Sequence, residues 1–150
     1  MSFGRIHCFL VATKNSDVIY ERFYDRLSES DKAEVRAAFF QASSSSKLSF
    51  DGYEHTAAFK SARFVFTVHS DSVFYLLGSG EYDELSAAEI LHSIIEALCD
   101  VLGRTLSAAL MMEKYTKLAL VVDEVVNEGL LEATDKDTIR KASKNKAVWE

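Results

Sequence analysis

The apolar positions of this chain change period along its length, and those changes divide it into elements. In Arg5–Thr13 (RIHCFLVAT) they run almost unbroken, as in a strand buried on both faces. Asn15-Ser16-Asp17 carries turn chemistry, and Asp17–Tyr24 (DVIYERFY) reads as the second strand of a hairpin. Over Asp31–Gln41 the spacing lengthens to the helical period, with Val35, Ala38 and Phe39 on one face and Ser30 as the cap. The tract Ala42–Ser49 (ASSSSKLS) has no apolar period and predicts a loop. Three strands follow: Tyr53–Phe59, Arg63–His69 with Phe64, Phe66 and Val68 on one side, and Val73–Leu77, closed by Gly78-Ser79-Gly80.

The last third returns to helical spacing. Ser86 and Glu89 form a capping box that opens a helix over Ala87–Leu102, with Gly103 as its stop. Its apolar residues, from Ile90 and Leu91 to Val101 and Leu102, cover about half the circumference. Ser107 caps a longer helix over Ala108–Glu128. There Leu118, Val121, Val122, Val125 and Val126 share a face with Met111 and Tyr115, while Asp123, Glu124, Asn127 and Glu128 fall opposite. Gly129 can end that helix, and Thr134 or Asp135 can cap a final polar one. The order β-β-α-β-β-β-α-α predicts an α+β fold. A five-stranded antiparallel sheet, with one helix on one face and two on the other, buries every apolar stripe. The boundaries are a domain over 1–134 and a polar C-terminal helix or tail over 135–150.

Composition narrows the class. With 150 residues, 48% of them hydrophobic and 27% charged, the chain suits a single domain with its own core. No apolar run is long enough to span a bilayer, and no basic-then-apolar leader opens the chain. Cys8 and Cys99 stand alone in sequence, which fits a reducing compartment. The net charge of −6 argues against nucleic acid as a partner.

Little in the sequence looks like catalysis. Asp123 and Glu124 are neighbours on a helix and point about 100° apart, so they do not converge on one substrate atom. His7, His55, His69 and His92 have no metal-ligand spacing, and no convergent nucleophile, base or metal set is visible. Gly78-Ser79-Gly80 lacks the third glycine and the immediate helix of a phosphate loop. Ser43–Ser46 reads as a flexible connection before a phosphorylation site, and Leu76-Leu77 and Leu130-Leu131 read as core before sorting signals. The basic residues Lys136, Arg140, Lys141, Lys144 and Lys146 are diluted by Asp135 and Asp137, as on a solvated helix face. One position stands out: Leu120 sits in the middle of the polar arc of Thr116, Asp123, Asn127, Glu113 and Glu124. Leu120 with Asp123, Glu124, Asn127 and Glu128 is the candidate partner-binding surface.

Two strings carry a family resemblance. VVDEVVNEGLLEATD (121–135) resembles a signature of the small subunits of vesicle coats, the sigma subunits of clathrin adaptors and the zeta subunit of coatomer. FYLLGSGEYDEL (74–85) resembles the zeta pattern before the second helix. The intermediate character is similar to the small subunit of the TSET complex, called TPLATE in plants. The resemblance implies a longin fold, no enzymatic activity and no cofactor. It also implies large solenoid and medium subunits as partners, and a cytoplasmic coat peripheral to the plasma membrane or endomembranes. In clathrin-adaptor sigma subunits an acidic dileucine signal fills an apolar pocket, helped by a basic residue on the second strand. The matching positions here are Ile95, Thr105 and Leu110 for the pocket and Ile19 for the strand. Ile19 is not basic, and Arg22 shares its face only if the strand register shifts, so the resemblance implies no dileucine reading. The alternative is a longin-type scaffold that binds a small GTPase or belongs to a tether, which should lack the 121–135 block.

Overall fold

The structure, a computed structural model, describes residues 5–45, 54–79 and 84–127. Five strands, β1 (Arg5–Thr13), β2 (Val18–Phe23), β3 (Glu54–Phe59), β4 (Ala62–His69) and β5 (Ser72–Ser79), form one antiparallel sheet in the order β2-β1-β5-β4-β3. The predicted strands are present to within a residue or two. The central strand β5 and its neighbour β1 carry long apolar runs in sequence, because both of their faces are covered.

Alternation along the strands divides the core in two. Cys8, Leu10, Phe64, Phe66, Val68, Val73, Tyr75 and Leu77 face helix α1 (Glu29–Ser45), whose Val35 and Phe39 complete that layer. Phe9, Val11, Val65, Phe74 and Leu76 face the other way, onto α2 (Glu84–Val101), α3 (Ala108–Glu113) and α4 (residues 115–127). Leu76 and Leu77 are buried on opposite faces, so this dileucine is core.

The structure corrects several local expectations. The cap of α1 is Ser28, not Ser30: its Oγ accepts from Asp31 N at 3.1 Å, and its carbonyl accepts from Lys32 N at 3.0 Å. The helix also runs through the start of the serine tract. Ser43 and Ser44 donate their hydroxyls back to Phe40 O and Gln41 O, at 3.2 and 3.1 Å, so they stay helical where composition predicted a loop. Helix α2 begins at Glu84, two residues before Ser86, which therefore lies within its first turn.

The predicted long third helix is two helices. Lys114, at φ −108 and ψ 39, separates α3 from α4, so the helical layer has three segments where two were expected. The Lys114 ammonium reaches the Leu102 carbonyl at 3.4 Å, beyond the end of α2. The bend turns Tyr115 out of the predicted stripe: it is 47% exposed and leans edge-on against Tyr20 at 5.4 Å. Met111 and Leu118, on either side of the bend, stay fully buried. Ser107 caps α3 as expected, accepting from Leu110 N at 3.1 Å. Asp71, in the β4–β5 turn, accepts from Ala108 N at 3.0 Å and ties the helical layer to the sheet. Gly103 sits at φ +153, where a Cβ would also meet Leu110 Cδ2 at 3.1 Å. Glu128, Gly129, Leu130-Leu131 and the 135–150 tail lie outside the described residues.

Candidate partner-binding surface

Helix α4 packs by a narrow stripe. Leu118, Val122 and Val126, spaced four apart, are buried, while Val121 and Val125 are half-buried at its margin. The opposite ridge faces solvent. Leu120 is 66% exposed, the most exposed of the large apolar side chains among the described residues, and Glu124, Asn127 and Thr116 are exposed around it. Among the described α4 residues of the arc, Thr116, Leu120, Glu124 and Asn127 are exposed, and Asp123 is the one that turns away. Asp123 is turned toward β2, where its Oδ1 accepts from Arg22 Nε at 3.2 Å and from the Tyr24 hydroxyl at 3.3 Å.

That contact depends on an irregularity in β2. Tyr20 pairs with Val11 and Val18 with Ala12, so Ile19 is an extra residue, a β-bulge. Without it, Ile19, Glu21 and Phe23 would share a face. With it, Tyr20 and Arg22 join Ile19 on the side of α4, while Glu21 faces α1. The register shift needed to bring Arg22 onto the face of Ile19 is present. Arg22 is nonetheless engaged: besides Asp123, its guanidinium lies 4.7 Å from the Tyr24 ring centre and donates to Phe23 O at 3.2 Å. Glu21, on the other face, takes a two-pronged contact from Arg36 of α1 at 2.8 and 2.6 Å.

Three of the four positions matched to a cargo site meet at one apolar cluster. Ile19 is buried in the core of the helical layer, and Ile95 and Leu110 pack against that core half-buried. Thr105 is exposed in the α2–α3 connection. Burial pushes the Tyr20 phenol up to about 12, with the Asp123 carboxylate adding to the shift. Tyr24 is driven upward as well, again by burial first and Asp123 second. Burial beside Asp123 thus favours the neutral form of both phenols at the β2–α4 seam.

Sequence reading missed one cluster. His7 donates or accepts through both ring nitrogens, Nδ1 to Asp25 Oδ2 and Nε2 to Ser79 Oγ, the latter at 2.6 Å. Its three members stand 18 and 72 positions apart, and no local spacing could reveal them. His92 pairs with Glu54 at 2.5 Å, and His69 lies 4.0 Å from Cys99 Sγ. Burial raises the pKa of both thiols, most strongly that of the enclosed Cys8. No group of three or more potential metal ligands occurs among the described residues.

Comparison with known proteins gives this architecture a family. The profile of the clathrin adaptor complex small chain matches residues 5–147. The chain is 24% identical over 140 residues to TSET complex member tstD of Dictyostelium discoideum, covering 92% of this chain and 91% of that one. It is 25% identical over 130 residues to coatomer subunit zeta-1 of Homo sapiens, covering 87% and 71%. Among solved structures, a chain in a homology model of the full-length AP-3 complex in a stretched open conformation superposes with a TM-score of 0.56. There the identity is 11%, with 91% of this chain and 99% of that chain covered. Five antiparallel strands between α1 and the α2–α4 layer are the longin-like fold. The chain belongs to the clathrin adaptor complex small chain family, the small subunits of adaptor-type coats.

Proposed function

We propose that this chain is a non-enzymatic assembly subunit of a heterotetrameric coat of the TSET type, held by the N-terminal solenoid of a large subunit and neighbouring a medium subunit. In this reading it acts in endocytosis, cytoplasmic and peripheral to the plasma membrane or endomembranes. Attachment in this reading comes through the complex; no helix among the described residues is long and apolar enough to cross a membrane. The observation that carries the reading is Leu120, an apolar side chain 66% exposed at the centre of a polar ridge on α4. Around it, Glu124 and Asn127 would supply the polar rim of an interface. Asp123 contributes indirectly, by locking α4 to β2 through Arg22 and Tyr24.

Acidic dileucine cargo is not part of the proposed role. The positively charged group that reaches the face of Ile19 is already occupied by Asp123.

Co-expression with the large subunit of its own complex tests the assembly role. Leu120→Asp should leave the melting temperature of the isolated chain within about 1–2 °C, since surface changes stay within about 0.5 kcal/mol. It should cut co-purification of the large subunit at least about tenfold, the loss of one anchoring contact of roughly 1.4 kcal/mol. Undiminished co-purification would place the interface elsewhere.

A further inference from the structure

From the Asp25–His7–Ser79 cluster we infer that Ser79 is an activated nucleophile, a site of covalent acylation by activated carboxylic esters. The β1–β5 register pairs Ile6 with Gly78 and Cys8 with Leu77, which leaves His7 as an extra residue in a bulge. Bulges re-aim side chains, and this one places the imidazole between a carboxylate and a hydroxyl. Asp25 is the acceptor at Nδ1, which fixes that nitrogen as N–H and leaves the Nε2 lone pair for the Ser79 hydroxyl 2.6 Å away. Nucleophile, base and orienting carboxylate are then hydrogen-bonded in the order that activates a serine. The cluster is also reachable: the His7 and Asp25 side chains are 21% and 19% exposed, and Ser79 is half-buried at the end of β5.

In the reaction, Ser79 Oγ bonds to the acyl carbon and passes its proton to His7 Nε2. The bond to the leaving alkoxide breaks, and the alkoxide departs with the electron pair and takes the proton from the imidazolium. Asp25 is a positioning residue that holds the imidazole in the required tautomer. Among the described residues, His7 is the one side chain hydrogen-bonded to the Ser79 hydroxyl. The proposed event is one acylation of Ser79, and hydrolysis of the acyl adduct is no part of it.

The test uses the purified full chain, incubated with p-nitrophenyl acetate or with a fluorophosphonate, where an Oγ–P bond replaces P–F and fluoride leaves. Intact mass should show one adduct, mapped to Ser79 by peptide sequencing and absent in Ser79→Ala. His7→Gln should label about 10²–10⁴-fold more slowly, the usual contribution of a general base. Asp25→Asn should change the pH profile of labelling, which a merely structural tie would not. Should His7→Gln misfold by circular dichroism, Asp25→Asn decides in its place, since loss of the orienting carboxylate must slow labelling of the folded chain. No adduct at Ser79, equal labelling of the urea-unfolded chain, or a rate indifferent to His7 and Asp25 would each overturn the inference and leave the cluster a structural clasp.

Discussion

Ser43 provides a sharp quantitative test, because its hydroxyl is buried under the sheet. Its Oγ donates to Phe40 O within α1 and accepts from the Tyr75 hydroxyl at 2.8 Å. Tyr75 is 1% exposed, its ring stacks on Phe39 at 4.8 Å and 7°, and burial raises its phenol pKa. Ser43→Ala removes the acceptor and strands a buried O–H, at roughly 1–3 kcal/mol. The gain in helix propensity from serine to alanine returns about 0.5 kcal/mol, for a net loss of about 0.5–2.5 kcal/mol. Tyr75→Phe costs about 0.5–1.5 kcal/mol, less because Ser43 keeps its bond to Phe40 O. With both changes no polar group is stranded, so the double variant should be less destabilised than the two losses added, by about 1–2 kcal/mol.

Urea unfolding of the full chain, followed by far-ultraviolet circular dichroism, measures all four corners of that cycle. At this chain length each kcal/mol moves the thermal midpoint by about 2–4 °C, so calorimetry gives an independent reading. Additive losses, or a neutral Ser43→Ala, would refute the buried bond and return Ser43 to the solvated serine tract that composition suggested.

Two further predictions follow from the β2–α4 seam. Tyr20 is raised from 10.0 to about 12 in the folded chain, so its protonated form stabilises the fold fully below about pH 10 and that stabilisation is lost as pH rises through about 12. Tyrosinate absorbance should show this late titration, and Tyr20→Phe should flatten the loss of stability above pH 10; a Tyr20 that ionises like a free tyrosine would contradict it. An acidic dileucine peptide titrated against the assembled complex should show no saturable micromolar binding, because a missing charge-assisted contact costs on the order of 1.5–3 kcal/mol, about tenfold to a hundredfold. Micromolar binding lost on Ile95→Ser or Leu110→Ser would show that the pocket still reads cargo.

The sheet was legible in sequence because strand burial writes a simple pattern. Alternation in Arg63–His69 put Phe64, Phe66 and Val68 together, and the structure places all three under α1. Helix ends were harder. Ser28, Ser30, Ser43 and Ser44 are chemically alike, yet one caps α1 and two extend it, and the difference lies in which backbone group each hydroxyl can reach. The break at Lys114 has neither glycine nor proline to announce it. Among the candidate partner residues, Leu120, Glu124 and Asn127 stood on the expected face. Asp123 did not remain free, because its partners Arg22 and Tyr24 come from a strand about a hundred positions earlier.

The features hardest to read share a cause. Two single-residue bulges, at His7 in β1 and at Ile19 in β2, each shift the register on one side of the bulge relative to the other. The bulge at Ile19 delivers Arg22 to Asp123 and fixes α4 against the sheet edge. The bulge at His7 delivers the imidazole to Asp25 and Ser79. In both places the polar chemistry sits where the regular ladder fails, while the central strand β5 stays buried along almost its whole length. Strict alternation would have kept Arg22 off the α4 face and His7 in the ladder. The regular ladder therefore supplies the family fold, and its two interruptions place this chain's own polar groups.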